Sequence, residues 1–367
     1  MRGLYIHLPF CIQKCSYCDF TSYADCFGYE EEYLRALLNE LEAYRGEKVD
    51  TVYLGGGTPT SLKTKTLTAI LDGVFKTLNV APNAEVTIEC NPKTADTEKF
   101  KALVSSGANR LSVGVQSFSD RLLKLIGRIH TADDAKACIL DAKSAGFENL
   151  SADLMFALPT QTVEDVIKSA EECVRLPINH ISCYGLILEE ETPLCRQIES
   201  GEFSAIDEDV EFSMYLKICE FLEKNGFLRY EISNFAKDGF YSRHNKKYWD
   251  ATEYIGIGCG AHSYFNKERY FNTSDILEYI KNSLGHKEVT AISKEEAMSE
   301  FMILGLRKTE GISKQEFFSR FNENVEEKYE NVIKKFTKNG LLVSDGDFIR
   351  LSDKGIYVSN TVLCEFM

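Results

Sequence analysis

The stretch YIHLPFCIQKCSYCDF, residues 5–20, places three cysteines directly after a short apolar strand. Cys11, Cys15 and Cys18 are separated by three and then by two residues. A structural zinc site nearly always has four protein ligands, so three thiolates are one ligand short of a closed site. An iron–sulfur cluster is also held by four thiolates as a rule, and with three of them one iron stays open. A cluster with one open iron is one arrangement that fits this spacing. A zinc site completed by a distant residue and a set of unligated thiols are the alternatives.

Length and composition restrict the class of protein. The chain has 367 residues, which predicts one large barrel with an appendage or two domains. Met1 is followed almost at once by a strand, which leaves no room for a signal peptide and predicts a cytoplasmic protein. Twelve cysteines scattered along so long a chain fit a reducing compartment better than a secreted disulfide framework. The net charge of −14 disfavours nonspecific binding to nucleic acid.

The first two thirds of the chain alternate short apolar runs with amphipathic helical segments. Two of the helical segments stop at Gly107 and Gly146, which are plausible C-terminal caps. Repeated strand–helix units predict an α/β fold with a parallel sheet and right-handed crossovers. Six units indicate a partial (β/α)6 TIM-like barrel whose functional groups lie at the carboxyl ends of the strands. The six runs are LYIHLPF, TVYLGGG, AEVTIEC, RLSVGVQ, NLSADLMFALP and HISCYGLIL.

The chain changes character near residue 285, where three helical segments lead into LLVSDGDFIRLS, a hairpin expected to turn at Asp345-Gly346. This order is typical of a small winged-helix-like domain. Its charges are mixed and slightly acidic, so a packing module is favoured over DNA binding. The predicted domains are a barrel with its extension over residues 1–265, a connecting segment over 266–285 and the C-terminal domain over 286–367.

Glycines and polar residues stand where several apolar runs end. LGGGTPT ends the second run, and its glycines are expected to let main-chain groups meet a ligand directly. Glu89, Gln116, Arg128 and Asp153 stand at or after the ends of later runs. Barrel enzymes keep binding groups at these positions, although each residue taken singly fits a cap or a surface group equally well.

The cysteine spacing, with Tyr17 just before the last cysteine, resembles the signature of radical S-adenosylmethionine enzymes. Taken with the glycine stretch and the polar strand ends, nearly the whole chain resembles oxygen-independent coproporphyrinogen oxidases and their relatives. The resemblance implies a 4Fe-4S cluster on the three cysteines, with S-adenosylmethionine bound at the open iron and split by an electron from the cluster. It also implies a set of S-adenosylmethionine contacts: Tyr5, Gly56 and Glu89 for the cluster-bound molecule, Gly57, Thr58, Gln116, Arg128 and Asp153 for a second one, and Tyr17 as a further contact.

Three features separate the chain from the oxidases within this group. Cys18-Asp19-Phe20 stands where the oxidase pattern reads Cys-Gly-Cys, and the N-terminal extension of the oxidases is missing. The segment HNKKYW, residues 244–249, matches the HNxxYW pattern of HemW-type haem chaperones. That resemblance implies a carrier that binds haem and passes it to apo-haemoproteins, including membrane-associated ones. Coproporphyrinogen dehydrogenation is the alternative function, and the expectation is that this activity is absent.

The same resemblance implies a haem contact by His244, Tyr248 and Trp249. An imidazole is a normal axial ligand of haem iron, and aromatic side chains suit a flat macrocycle. Packing of this segment against the barrel is the alternative. Other candidate iron ligands are His262, Cys259 and Cys26, whereas His7 is expected to be part of a strand. Nucleic acid is not an expected partner, and a homodimer is left open.

Overall fold

The computed structural model describes residues 1–367, and six parallel strands form the centre of its large sheet. These strands lie side by side in chain order, and each neighbouring pair is parallel. The predicted α/β fold, a partial barrel of six strand–helix units, is confirmed. Its elements are β1 (Arg2–Leu8), α1 (Glu30–Glu42), β2 (Lys48–Gly56), α2 (Thr64–Thr77), β3 (Asn79–Cys90), α3 (Thr97–Ser105), β4 (Arg110–Gln116), α4 (Asp120–Leu125), α5 (Ala132–Ser144), β5 (Asn149–Phe156), α6 (Val163–Arg175) and β6 (His180–Gly185).

Apolar and polar side chains alternate along much of the six strands, with an irregularity between Val49 and Thr51 in β2 and an apolar end in β5. The apolar side chains, such as Leu4, Ile6 and Val52, are fully buried in one core with the surrounding helices. Successive side chains of a strand point to opposite faces of the sheet, so the intervening polar side chains line the inside of the barrel. Gly107 and Gly146 have φ of 100° and 110°, which confirms that they end helices in the left-handed conformation.

The sheet continues beyond the six strands on both sides. A short antiparallel pair extends it next to β6, and four strands extend it next to β1, the first of them parallel to β1. No helix has the length and apolar character needed to cross a membrane. The added elements are α7 (Pro193–Glu199), α8 (Glu208–Lys224), β7 (Leu228–Arg229), β8 (Asn234–Ala236), α9 (Arg243–Trp249), β9 (Tyr254–Ile257), β10 (His262–Phe265), β11 (Glu268–Asn272), α10 (Ile276–Lys281) and β12 (His286–Ala291).

The C-terminal part carries its own three-stranded sheet, as expected for a winged-helix-like domain. Its hairpin pairs Asp345 with Phe348, so the loop is Gly346-Asp347, one residue later than predicted. β11 and α10 occupy the predicted connecting segment and β12 is the edge of the large sheet, so we propose a domain boundary near residue 292. The elements are α11 (Lys294–Gly305), β13 (Ile312–Ser313), α12 (Lys314–Phe321), α13 (Val325–Lys328), α14 (Glu330–Lys338), β14 (Leu342–Asp345), β15 (Phe348–Leu351), α15 (Asp353–Tyr357) and α16 (Ser359–Leu363).

Candidate functional site

The cysteine loop, residues 9–26, follows the carboxyl end of β1 at the mouth of the barrel. Its two ends are tied together, because the backbone N–H of Cys11 donates to the carbonyl of Tyr23 at 3.0 Å. Its middle is tied to the barrel, because the backbone N–H of Ser16 donates to the carbonyl of Ile126 at 3.1 Å. The three cysteines are therefore held at the end of the barrel where parallel-strand enzymes keep their functional groups.

The three thiols have different surroundings. Cys11 is buried and its sulfur lies 3.5 Å from the Thr58 hydroxyl, whereas Cys15 and Cys18 are half-buried. Arg128 Nη1 donates to the Cys15 sulfur at 3.4 Å. Burial raises the pKa of the Cys11 and Cys18 thiols, so both must lose a proton to become the thiolates that ligate iron. A guanidinium beside the loop favours that negative charge.

No three Cys, His, Asp or Glu side chains converge as ligands of one metal ion. A 4Fe-4S cluster is held by thiolates on separate irons, so the cysteines that bind it need not point at a single atom. The braced loop, the flanking cation and the chemistry of the thiols fit such a cluster. The assignment of the three cysteines as its ligands stays a prediction.

Arg128 is joined to the glycine stretch through a residue that the sequence analysis did not single out. Asn91 donates from Nδ2 to the Thr58 hydroxyl at 2.7 Å and accepts from Arg128 Nη2 at 2.6 Å. Arg128 also donates to the Gly114 carbonyl. These contacts join three of the predicted strand ends into one polar wall beside Cys15. Asn91 directly follows the β3 strand, and this position at a strand end could have identified it from the sequence.

The glycines of LGGGTPT have packing reasons of their own. A Cβ at Gly57 would lie 2.7 Å from the Phe10 carbonyl oxygen, and one at Gly56 would lie 2.6 Å from the His7 ring. Gly56 also has φ of 109°, which disfavours other residues. The sequence analysis expected these glycines to meet a ligand. The structure shows that Gly57 lets the cysteine loop lie against the end of β2 and that Gly56 leaves room for the His7 ring of β1.

Glu89 lies inside the barrel below the mouth. Its carboxylate accepts from the Gly56 N–H at 3.1 Å and from the Tyr53 hydroxyl at 2.8 Å. Burial raises the pKa of Glu89 to about 7, and the two donors oppose that shift. Tyr5 lies on the neighbouring strand, and its hydroxyl is 3.0 Å from His7 Nδ1. His7 is thus strand structure, as expected.

The remaining predicted S-adenosylmethionine contacts are spread over the mouth. Asp153 accepts from the Ser112 hydroxyl at 3.1 Å, and burial raises the pKa of its carboxyl group. Gln116 has φ of 66° next to an irregularity in the pairing of β4 with β5, a strained conformation of the kind that concentrates at functional sites. Tyr17 packs against a small apolar cluster that includes Leu122. These roles in cofactor binding stay predictions.

The HNxxYW segment forms α9, which contacts β1 and β2 near their amino ends. His244 Nδ1 lies 2.9 Å from the Thr51 hydroxyl, and Nε2 lies 3.0 Å from the Tyr248 hydroxyl. Its ring also stacks on Tyr53 with centroids 5.1 Å apart. Burial lowers the pKa of His244 to about 3, so the imidazole is neutral. Both ring nitrogens are occupied inside the protein, and the geometry favours the packing alternative over iron ligation.

Trp249 and the alternative iron ligands lie elsewhere. The Trp249 ring packs under the Arg307 guanidinium at 4.8 Å, which joins α9 to the C-terminal domain. Cys259 is buried and its thiol donates to the Ser274 carbonyl at 3.1 Å. His262 is exposed and stacks on Phe271 with ring centroids 5.0 Å apart, so of the histidines considered it is the accessible one. Cys26 is half-buried in the cysteine loop.

Comparison with known proteins identifies the relatives of this chain. Residues 5–173 match the Radical SAM superfamily, and residues 292–358 match the HemN C-terminal domain. The chain is 37% identical to "Heme chaperone HemW" of Lactococcus lactis over all of this chain and 97% of the relative. It is 35% identical to the protein of that name from Bacillus subtilis, over all of this chain and 99% of the relative.

A solved structure shares the fold of this chain. The solved structure of coproporphyrinogen III oxidase (HemN) from Escherichia coli, described as a radical SAM enzyme, superposes with a TM-score of 0.87 at 20% identity. The match covers 99% of this chain and 89% of the oxidase. At this identity the match shows the shared fold.

We expect each single change Cys11→Ala, Cys15→Ala and Cys18→Ala to abolish cluster binding, because two thiolates cannot hold the geometry set by three. Iron and sulfide content after anaerobic reconstitution should fall from about four of each per chain to near zero. Cys364→Ala, which removes an exposed cysteine near the C-terminus, is the matched control and should keep the full content. Full iron content in all three variants would contradict the assignment.

Gly57→Ala should lower the iron content as well as the affinity for S-adenosylmethionine. Its Cβ would push on the Phe10 carbonyl, one residue before Cys11, and so displace the first ligand. Gly28→Ala adds a Cβ with no atom within 4 Å and should leave both quantities at the parent value. A Gly57→Ala protein with full iron content and weak S-adenosylmethionine binding would restore the interpretation of direct ligand contact.

His244→Ala should lower the free energy of unfolding by about 2 kcal/mol or more, because it leaves the Thr51 and Tyr248 hydroxyls inside the protein without their partner. It should leave the absorption spectrum of added haem unchanged. The matched control is His262→Ala at an exposed site, which should change stability by less than about 0.5 kcal/mol. An altered haem spectrum with unchanged stability would return His244 to the position of iron ligand.

Proposed function

The chain belongs to the HemW family within the radical SAM superfamily, and from this premise we propose that it binds haem and delivers it to apo-haemoproteins. The observation that carries the proposal is the similarity to proteins named haem chaperones over the whole length of both chains. Delivery to apo-haemoproteins in the cytoplasm, including membrane-associated recipients, is part of the proposal. Nucleic acid is excluded from it on the net charge of −14.

The proposal includes a 4Fe-4S cluster on Cys11, Cys15 and Cys18 and S-adenosylmethionine beside it. When bound, the cluster supplies an open iron and a transferable electron. The protein supplies the setting: the cysteine loop orients the thiolates, and the Arg128 guanidinium balances their charge. The Glu89 carboxylate is held by the donors of Gly56 and Tyr53. In the proposal it also accepts hydrogen bonds from the hydroxyl groups of S-adenosylmethionine.

We place the haem at the mouth of the barrel rather than on α9. Loops that follow β1 and β6 carry large apolar side chains with high exposure: Ile12 is 51% exposed, Phe20 is 70% exposed and Ile187 is 72% exposed. Ile129, after β4, is 39% exposed and lines a small cavity together with Ile12 and Cys15. An apolar rim around a polar interior matches haem, whose macrocycle is apolar and whose propionates are charged.

Coproporphyrinogen dehydrogenation is the competing function. The match to the oxidase shows the fold, and Phe20 stands where the oxidase pattern has a cysteine. We therefore propose that the chain has no such activity. Reconstituted protein should bind haem and form no protoporphyrinogen with a reduced cluster and excess S-adenosylmethionine. Protoporphyrinogen formation at enzymatic rates would overturn the proposal of a carrier.

Phe20→Ser and Ile187→Ser should each weaken haem binding by about tenfold, because an apolar side chain covered by a ligand contributes about 1.5 kcal/mol or more. The measurement is titration of the reconstituted protein with haem, followed at the Soret band. Phe348→Ser removes a Phe that is 43% exposed on the C-terminal hairpin and is the matched control. Unchanged affinity for haem in both rim variants would contradict a haem site at the mouth. The carrier function would then be tested only by whether the parent protein binds haem.

A further inference from the structure

The wall of the barrel interior is polar, which is unusual for a barrel of parallel strands. Such barrels are ordinarily filled by layers of branched apolar side chains. Here the pairing of β1, β2, β3 and β4 aligns Tyr5, Tyr53, Thr87 and Arg110 in one layer across the sheet. Apolar packing does not explain why these four positions are polar or aromatic, and the sequence analysis singled out only Tyr5.

Arg110 is the group in this layer whose charge has no direct partner. Its side chain is among the most deeply buried of the large side chains, and the residue is 2% exposed. Its Nε has no hydrogen-bond partner, and neither has the hydroxyl of Thr87, which pairs with it across β3 and β4. Burying an unpaired guanidinium costs several kcal/mol, so a structure that keeps one needs a compensating interaction.

The compensating charge lies one layer nearer the mouth. Ser112 is the next inward-facing residue of β4 after Arg110, and it pairs with Glu89 across β3 and β4. The same Ser112 hydroxyl donates to Asp153 at 3.1 Å. Residues two apart on a strand are separated by about 6.5 Å, so Arg110 lies within Coulombic range of both carboxylates without touching them.

We infer that Arg110 is a positioning residue, whose buried positive charge keeps the Glu89 carboxylate ionised so that Glu89 can accept hydrogen bonds from S-adenosylmethionine. The inference rests on the S-adenosylmethionine site of the proposed function. An ionised carboxylate accepts hydrogen bonds from ligand hydroxyls and attracts the positive sulfonium. A protonated carboxyl group has no net charge and is a weaker acceptor. Arg110 lowers the pKa of both carboxyl groups. Arg128 also acts on Asp153, whereas Arg110 is the cation that acts on Glu89.

The groups that face Glu89 fix the direction of its pH dependence. They are Tyr5 on β1, Tyr53 on β2, Asp153 on β5 and Tyr248 on α9, with Arg110 on β4. The pKa of Glu89 is raised to about 7 in total. Burial is the largest cause and the charge of Asp153 adds to it, whereas the hydrogen bonds from Tyr53 and Gly56 and the charge of Arg110 lower the pKa. Glu89 therefore ionises as the pH rises through this value, and loss of Arg110 moves the ionisation to higher pH.

The test is the dissociation constant of S-adenosylmethionine, measured by equilibrium dialysis on anaerobically reconstituted protein between about pH 6 and pH 9. For the parent chain, binding should tighten as the pH rises through about 7. For Arg110→Met, a rise of one pKa unit should weaken binding about fivefold at pH 7, and binding should approach the parent value near pH 9, where Glu89 is ionised in both proteins.

Two further variants keep the test decisive where Arg110→Met does not fold. Arg110→Lys retains the charge and should follow the parent profile. Glu89→Gln removes the ionisation and should bind S-adenosylmethionine weakly with no pH dependence. A parent profile that is flat, or a loss in Arg110→Met by the same factor at every pH, would overturn the role of Arg110. Failure of the parent to bind S-adenosylmethionine at any pH would instead overturn the proposed cofactor site.

Discussion

The fold depends on satisfying polar side chains that the barrel wall turns inward, away from water. A buried polar group without a partner costs about as much as a lost hydrogen bond, which favours pairing within the lumen. His180 shows how this is done: its ring nitrogens lie 2.8 Å from the Ser151 and Tyr230 hydroxyls. The Thr87 hydroxyl and Arg110 Nε are exceptions. The same requirement explains why Arg110, which lacks such pairing, stands near carboxylates.

This constraint divides the barrel into a closed end and an open end. At the amino end, the first N–H groups of α9 donate to the Glu85 carboxylate at 3.0 Å, and His244 completes the hydrogen bonds of the wall. At the carboxyl end the wall continues into loops that carry the cysteines and exposed apolar side chains. One end therefore stabilises the fold, and the other is left to bind ligands.

Local patterns in the sequence were enough to predict the six strands, the helix ends at Gly107 and Gly146 and the place of the cysteine loop. They did not predict where α9 would lie, because its contact with Thr51 joins residues 193 positions apart. Nor did they reveal the polar lumen, although its signal, the alternation of apolar and polar residues along much of the strands, was present. The hairpin was displaced by one residue because a favourable Asp-Gly pair does not determine which of its residues closes the ladder.

The HNxxYW segment shows why a family pattern and a ligand site need not coincide. Its His and Tyr bond to each other and to the wall, and its Trp packs on the C-terminal domain, so the pattern describes a plug between two domains. At the mouth Phe20 is exposed, and a ligand that covers it would recover hydrophobic free energy. In this chain such exposed apolar side chains lie at the mouth, whereas His244 in the plug is buried.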